Sequence, residues 1–159
     1  MSTHIVALSD SHAKSIQELP AELRAALAQA DKIIHAGDHT ETSLLQELRA
    51  LGEVIAVAGN MDSTTLKLQL PARQLVTLGG RLVGIAHGSG APTGIVERVR
   101  ALFPENPALI VFGHSHVRFK GVVAGALMVN PGPARDGYAS ITIGAHIEVA
   151  LVAVGAVER

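Results

Sequence analysis

Ala108-Leu-Ile-Val-Phe112 runs directly into Gly113-His114-Ser115-His116, and this junction decides the fold. A short apolar run rich in β-branched residues reads as a buried strand, and open α/β sheets bind their ligands at strand carboxyl ends. Gly113 lets the chain turn sharply, so His114 and His116 can face different ions instead of sharing one side of a continuing strand. The pattern gains weight from repetition. Asp10-Ser-His12, Gly37-Asp38, Gly59-Asn60 and His87-Gly88 each follow another apolar run. Carboxylate and amide oxygens together with imidazoles form a ligand mix that suits Mn, Fe, Zn or Ni.

Outward from that junction, residues 4–8 read as a strand delivering Asp10 and His12 into a loop. Ile16, Leu19, Leu23, Ala26, Leu27 and Ala30 recur at helical spacing, and the regular helix is expected to begin near Pro20. Strands are expected at residues 32–35 and 53–58, with a helix between them running from a Thr40 cap to Ala50 and stopped by Gly52. Strand–helix–strand steps of this kind imply parallel pairing with right-handed crossovers. Later the pattern changes to hairpins: 74–78 with 81–86 around Gly79-Gly80, 121–124 with 127–129, and 139–143 with 147–154. A further amphipathic helix is expected at 92–103. A parallel half followed by hairpins fits two mixed sheets packed face to face with helices outside, forming one domain over residues 1–159.

Composition narrows the function. The chain is 48% hydrophobic but only 3% aromatic, so its core is built from Val, Ile, Leu and Ala. A net charge of −1 leaves no electrostatic footprint for nucleic acid or an anionic membrane, and few aromatic rings leave no base-stacking platform. The absence of cysteine excludes thiolate metal sites. Met1-Ser-Thr-His4 lacks the basic region of a secretion signal, and the apolar stretch 149–157 is well short of the roughly 20 residues that span a bilayer. The expectation is a cytoplasmic protein.

Taken singly, Asp10 and Asp38 pass as turn residues and Gly59-Asn60 as a turn dipeptide. Jointly, Asp10, His12, Asp38, Asn60, His87, His114 and His116 stand at the ends of apolar runs, where such a cluster without a metal carries a large desolvation penalty. Asp10-Ser-His12, His35-Ala-Gly-Asp38, Gly59-Asn-Met-Asp62, His87-Gly88, Gly113-His-Ser-His116 and Asn130-Pro-Gly132, in this order, resemble the motif set of the calcineurin-like metallophosphoesterase superfamily. The short chain is similar to its small bacterial and archaeal phosphodiesterase branch.

That resemblance implies an α/β fold, a four-layer αββα sandwich of two mixed sheets flanked by helices. It implies two divalent transition-metal ions, manganese first, with nickel, iron or zinc as alternatives. Asp10, His12 and His116 would hold one ion, Asn60, His87 and His114 the other, with Asp38 bridging and with Asp38, Asn60 and His114 carrying the catalytic roles. The implied activity is hydrolysis of a small phosphate-ester substrate, foremost a phosphodiester, by in-line attack of a hydroxide shared by the ions. A phosphomonoesterase is an alternative. So is a non-catalytic metal-binding scaffold, because the superfamily includes a retromer subunit that keeps the fold without a full ligand set. A homo-oligomer is compatible with either.

Two positions depart from the family pattern. Many members carry a proton-donating His after the motif Asn, and the small branch carries Cys, whereas this chain has Met61. Pro133 stands where the branch has Ser after Asn-Pro-Gly. Among the remaining polar residues, His39 reads as an exposed histidine at a helix entry, with a place near the substrate as the alternative. His35 reads as a buried histidine that is either a support for a ligand or purely structural. Asp62 either orients Asn60, approaches the metal-bound water or closes a turn, and Arg135, a cation near the Pro-Gly loop, reads as exposed, with a phosphate contact as the alternative.

Overall fold

A computed structural model describes residues 2–154; Met1 and residues 155–159, where the apolar 149–157 stretch ends, lie outside the described residues. The first half contains β1 (Thr3–Leu8), a 3-10 turn (Ile16–Glu18), α1 (Ala21–Gln29), β2 (Lys32–His35), α2 (Thr42–Leu51), β3 (Glu53–Ala56) and α3 (Thr64–Gln69). The second contains β4 (Arg73–Leu78), β5 (Arg81–Ala86), α4 (Ile95–Ala101), β6 (Leu109–Val111), β7 (Phe119–Val123), β8 (Ala126–Asn130), β9 (Gly137–Ile143) and β10 (Ile147–Ala153).

Two five-stranded sheets result, in the orders β10-β9-β1-β2-β3 and β4-β5-β6-β8-β7. β1, β2 and β3 are parallel, joined by crossovers through α1 and α2, while the late hairpin β9-β10 adds antiparallel strands beside β1. In the other sheet β5, β6 and β8 run parallel and β4 and β7 close the edges antiparallel. The two-residue side-chain period of a strand explains the layering. Ile5 and Ala7 of β1 face the second sheet, packing in one core with Ile34, Ile55, Val83, Ile85, Leu109 and Val111. Val6 and Leu8 face the other way, onto Leu23 and Leu27 of α1 and Leu44 and Leu48 of α2. On the far side Ile110, Phe112 and Met128 meet Ile95 and Val99 of α4 and Phe103. The four layers are helix, sheet, sheet, helix, as the resemblance implied. A fully buried Leu44 or Leu48 in such a stack costs about 2–5 kcal/mol to truncate to Ala.

Local differences from the sequence reading have physical causes. Thr40 does not cap α2: its backbone lies at φ 79°, its N–H donates to Asp62 Oδ1 at 2.7 Å, and the helix begins two residues later behind Glu41. Gly52 ends α2 as expected. The sequence reading did not foresee α3, which packs Leu66 and Leu70 on Leu45 and Ala56 and is capped by Ser63, whose Oγ accepts the Leu66 N–H at 3.2 Å. Among the described residues no helix is long and apolar enough to cross a membrane.

Candidate metal centre

The loops leaving β1, β2, β3, β5 and β6 converge at one edge of the sandwich and are stitched to one another by backbone hydrogen bonds. Asp10 N–H donates to the Gly37 carbonyl at 2.9 Å, His12 N–H to Asp38 at 3.2 Å and Gly113 N–H to His87 at 3.1 Å. Asp10, His12, Asp38, His114 and His116 all have positive φ, between 45° and 73°, in the left-handed region that Asp and His enter more readily than most residues. Close approach also restricts the glycines. A Cβ at Gly59 would run into the Asp38 carboxylate, and one at Gly113 into Ser9 Oγ and Asp10 Oδ2.

All seven residues expected at the site come together there. Asp10, His12, Asp38 and His116 each offer one ligand atom, and these atoms lie within 4.8 Å of one another. Beside them, Asn60 Oδ1 stands 3.0 Å from His87 Nε2 and 3.2 Å from His114 Nδ1. Asp38 Oδ2 faces both groups, 3.9 Å from His12 Nε2 and 3.3 Å from His87 Nε2. The carboxylates form the floor, buried, while His12, Asn60 and His116 are exposed at the mouth.

On His87 and His114 the ring nitrogen turned away from the centre is committed. His87 Nδ1–H donates to the Ala36 carbonyl at 2.8 Å and His114 Nε2–H to the Gly90 carbonyl at 2.8 Å, because a carbonyl can only accept. That leaves the inward nitrogens, Nε2 of His87 and Nδ1 of His114, with lone pairs aimed at oxygens. Such an arrangement is repulsive unless a proton or a cation lies between. Burial alone would lower the His87 pKa, but its contacts with Asp38 and the charge of Asp10 raise it above the ordinary histidine value. For Asp38 burial works toward a higher pKa, and the His87 contact and the Met61 N–H outweigh it, holding the carboxyl below its usual range.

Asp10 carries the clearest sign of a missing partner. Its Oδ2 accepts from Ser9 Oγ–H at 2.6 Å and from His114 N–H at 3.2 Å, whereas its buried Oδ1 has no hydrogen bond. Among the described residues no Lys or Arg forms an ion pair with Asp10 or Asp38. Two buried carboxylates with no Lys or Arg to neutralise them are costly, and a divalent cation held by oxygens and imidazoles offsets that. The residues fit a metal.

A family model described as the calcineurin-like phosphoesterase superfamily domain matches residues 3–154. The chain belongs to this superfamily. It is 33% identical over 128 residues to a probable metallophosphoesterase of Methanocaldococcus jannaschii, covering 79% of this chain and 65%, slightly under two thirds, of that relative. A probable metallophosphoesterase of Methanothermobacter thermautotrophicus is 32% identical, over 79% of this chain and 73% of the relative. Among solved structures, a Thermotoga maritima protein superposes with a TM-score of 0.76 at 31% identity, covering 95% of this chain and 99% of its own. An archaeal phosphodiesterase shares the fold at 19% identity and a TM-score of 0.67, over 94% of this chain and 99% of its own.

The supports of this site were less legible than its candidate ligands. Asp62 accepts three backbone N–H groups, from Gly59 at 2.7 Å, Thr40 at 2.7 Å and Asp38 at 3.1 Å, and so clamps the loops carrying Asp38 and Asn60 together. Asn130 braces the His114–His116 loop, its Nδ2 donating to the Gly113 carbonyl at 3.2 Å and to Ser115 Oγ at 3.1 Å. His39, expected to be exposed, is fully buried: it stacks on His35 with ring centroids 3.5 Å apart, and Nε2–H donates to the Val57 carbonyl at 3.2 Å. His35 accepts from Gly37 N–H at Nδ1 and donates from Nε2 to Ser11 Oγ at 2.8 Å, bracing the loop between Asp10 and His12. Pro133 is buried in a bridge with Ser9, and Arg135 stays exposed, its side chain 71% accessible beside Asp136.

Proposed function

We propose that this chain is a phosphodiesterase working with two divalent ions, manganese first among them. Asp10, His12 and His116 would hold one ion and Asn60, His87 and His114 the other, with Asp38 shared. The position of Asp38 Oδ2 between the two groups of imidazoles carries this reading. When bound, a pair of divalent ions activates water and neutralises phosphate charge during in-line displacement. The chain supplies the frame. Met61 N–H fixes Asp38 Oδ1 at 2.8 Å and so turns Oδ2 inward, while Ser9 and the His114 N–H fix Asp10 in the same way. Ala36 and Gly90 hold protons on the outward nitrogens of His87 and His114 and keep the inward ones as acceptors.

Exposure of His12, Asn60 and His116 leaves the mouth open to a small polar ester. Among the described residues, neither Met61 nor His39 can replace a proton-donating histidine. The Met61 thioether has no proton to give and His39 is buried, so the departing oxygen takes its proton from solvent. This favours esters whose leaving groups are weakly basic, and disfavours an ordinary phosphomonoesterase. Against a non-catalytic scaffold stands the complete inward-facing set of seven side chains.

Hydrolysis of bis(p-nitrophenyl) phosphate and of p-nitrophenyl phosphate by metal-stripped protein, restored with each ion in turn, tests the reading. Diester hydrolysis that returns only with about two equivalents of a transition metal is expected. Full activity in the stripped protein, or none with any ion, would overturn it.

A further inference from the structure

The segment from Ser89 to Gly94 supplies no expected ligand, yet it is held by one cation. We infer that Arg98 is a positioning residue that fixes His114 through this loop. Arg98 Nε and Nη2 donate to the Ser89 carbonyl at 3.2 and 2.8 Å, Nη1 donates to the Thr93 carbonyl at 2.9 Å, and Nη2 also reaches the Ala91 carbonyl. The carbonyls on either side of Gly90 therefore turn toward the guanidinium. The Gly90 carbonyl between them turns the other way and accepts the His114 Nε2–H at 2.8 Å. Gly90 sits at φ +82° with its backbone against the guanidinium, where an added Cβ would meet Nη2 at 3.2 Å.

The sequence places this cation correctly. Side chains on an α-helix lean toward its N-terminus, so Arg98 on α4 projects back under the loop that precedes the helix. A guanidinium suits this role because it is planar, permanently charged and carries five donors in a fixed fork, whereas an ammonium cannot span three carbonyls in that geometry. The loop contains Gly90 and Gly94 and follows Gly88, all three at positive φ, where glycine gives the backbone its widest freedom. Without Arg98 the Gly90 carbonyl is free to rotate away. The His114 proton is then no longer pinned on Nε2, and Nδ1 stops presenting a lone pair beside Asn60 Oδ1. Partners that orient a metal-binding imidazole in this way typically matter 10–100-fold in metal affinity.

The affinity part of this inference rests on His114 holding one of two ions; the tautomer part does not. The experiment is therefore run first on metal-free protein labelled with 15N-histidine, comparing wild type, Arg98→Met and Arg98→Lys, with His114→Gln identifying the signal. Wild type should carry the His114 proton on Nε2, and both variants should show a population with the proton on Nδ1. Manganese titration should then show one binding event weakened about 10–100-fold and the other unchanged. A tautomer shift in a protein that binds a single ion would uphold Arg98 and remove the two-ion reading. A wild-type tautomer in either folded variant would overturn the role of Arg98.

Discussion

Met61 donates its backbone N–H to Asp38 Oδ1 at 2.8 Å while the residue itself, next to Asn60, stands 60% exposed. The part of Met61 that shapes the centre is thus independent of its side chain, which can be exchanged without disturbing Asp38. General acid catalysis is worth roughly 10²–10⁴ in rate and matters most for basic leaving groups. Wild type should show a steep dependence of rate on leaving-group pKa, with nitrophenyl diesters favoured over alkyl ones. Met61→His should flatten that dependence by raising alkyl ester hydrolysis about tenfold or more. A series of substituted phenyl and alkyl diesters on both proteins measures it, and a flat wild-type profile would show that another donor serves.

Asp38 faces both groups of imidazoles through one oxygen. Asp38→Asn keeps the shape and removes the charge, so it should lower turnover at least about 100-fold and reduce the metal bound at both positions. Elemental analysis of the purified variant beside its diester rate decides this. Loss of a single ion would assign Asp38 to one group alone.

Three buried or half-buried N–H groups, of Asp38, Thr40 and Gly59, depend on Asp62. Each donor left unsatisfied costs about 1–3 kcal/mol, so Asp62→Ala should destabilise the metal-free protein by at least about 3 kcal/mol. Asp62→Asn retains acceptor capacity on one oxygen and should lose less. Urea unfolding of the two variants gives the comparison, and equal stabilities would deny the clamp.

His35 should make the protein acid-sensitive. Burial, reinforced by the charges of His39, His87 and His12, lowers its pKa well below the ordinary 6.5, so the folded ring stays neutral where the unfolded one takes up a proton. The unfolded state then binds more protons. Stability is full above about 6.5 and falls as the pH drops below it, by up to about 1.4 kcal/mol per pH unit for each such group. Unfolding of chelated protein between about pH 7.5 and 5 should show this slope, and His35→Gln should reduce it.

The candidate site residues were legible because each followed an apolar run that reads as a buried strand: His35 leads to Asp38, Ala86 to His87, Phe112 to His114. Parallel strands bring such ends to one edge whatever their separation along the chain. What escaped was decided by contacts across the chain. His39 is buried by the His35 ring and the Val57 carbonyl, neither of which marks it in its own neighbourhood. Thr40 was a sound helix cap locally, and the demand of Asp62 for its N–H drew it out of the helix. Helix α3 has one buried residue, Leu66, too short a stripe to show a period.

The positive φ angles at Asp10, His12, Asp38, His114 and His116 set binding against folding. A non-glycine residue in that conformation gives up roughly 1–2 kcal/mol, so the centre holds several kcal/mol of backbone strain that a bound metal would help offset. The residues that make the site useful are therefore those the bare fold would rather not contain. Glycine at the exposed position of His12 or His116 should raise the melting temperature of metal-free protein while weakening its hold on metal. A lineage released from selection for metal would drift toward glycine there and grow sturdier as it fell silent.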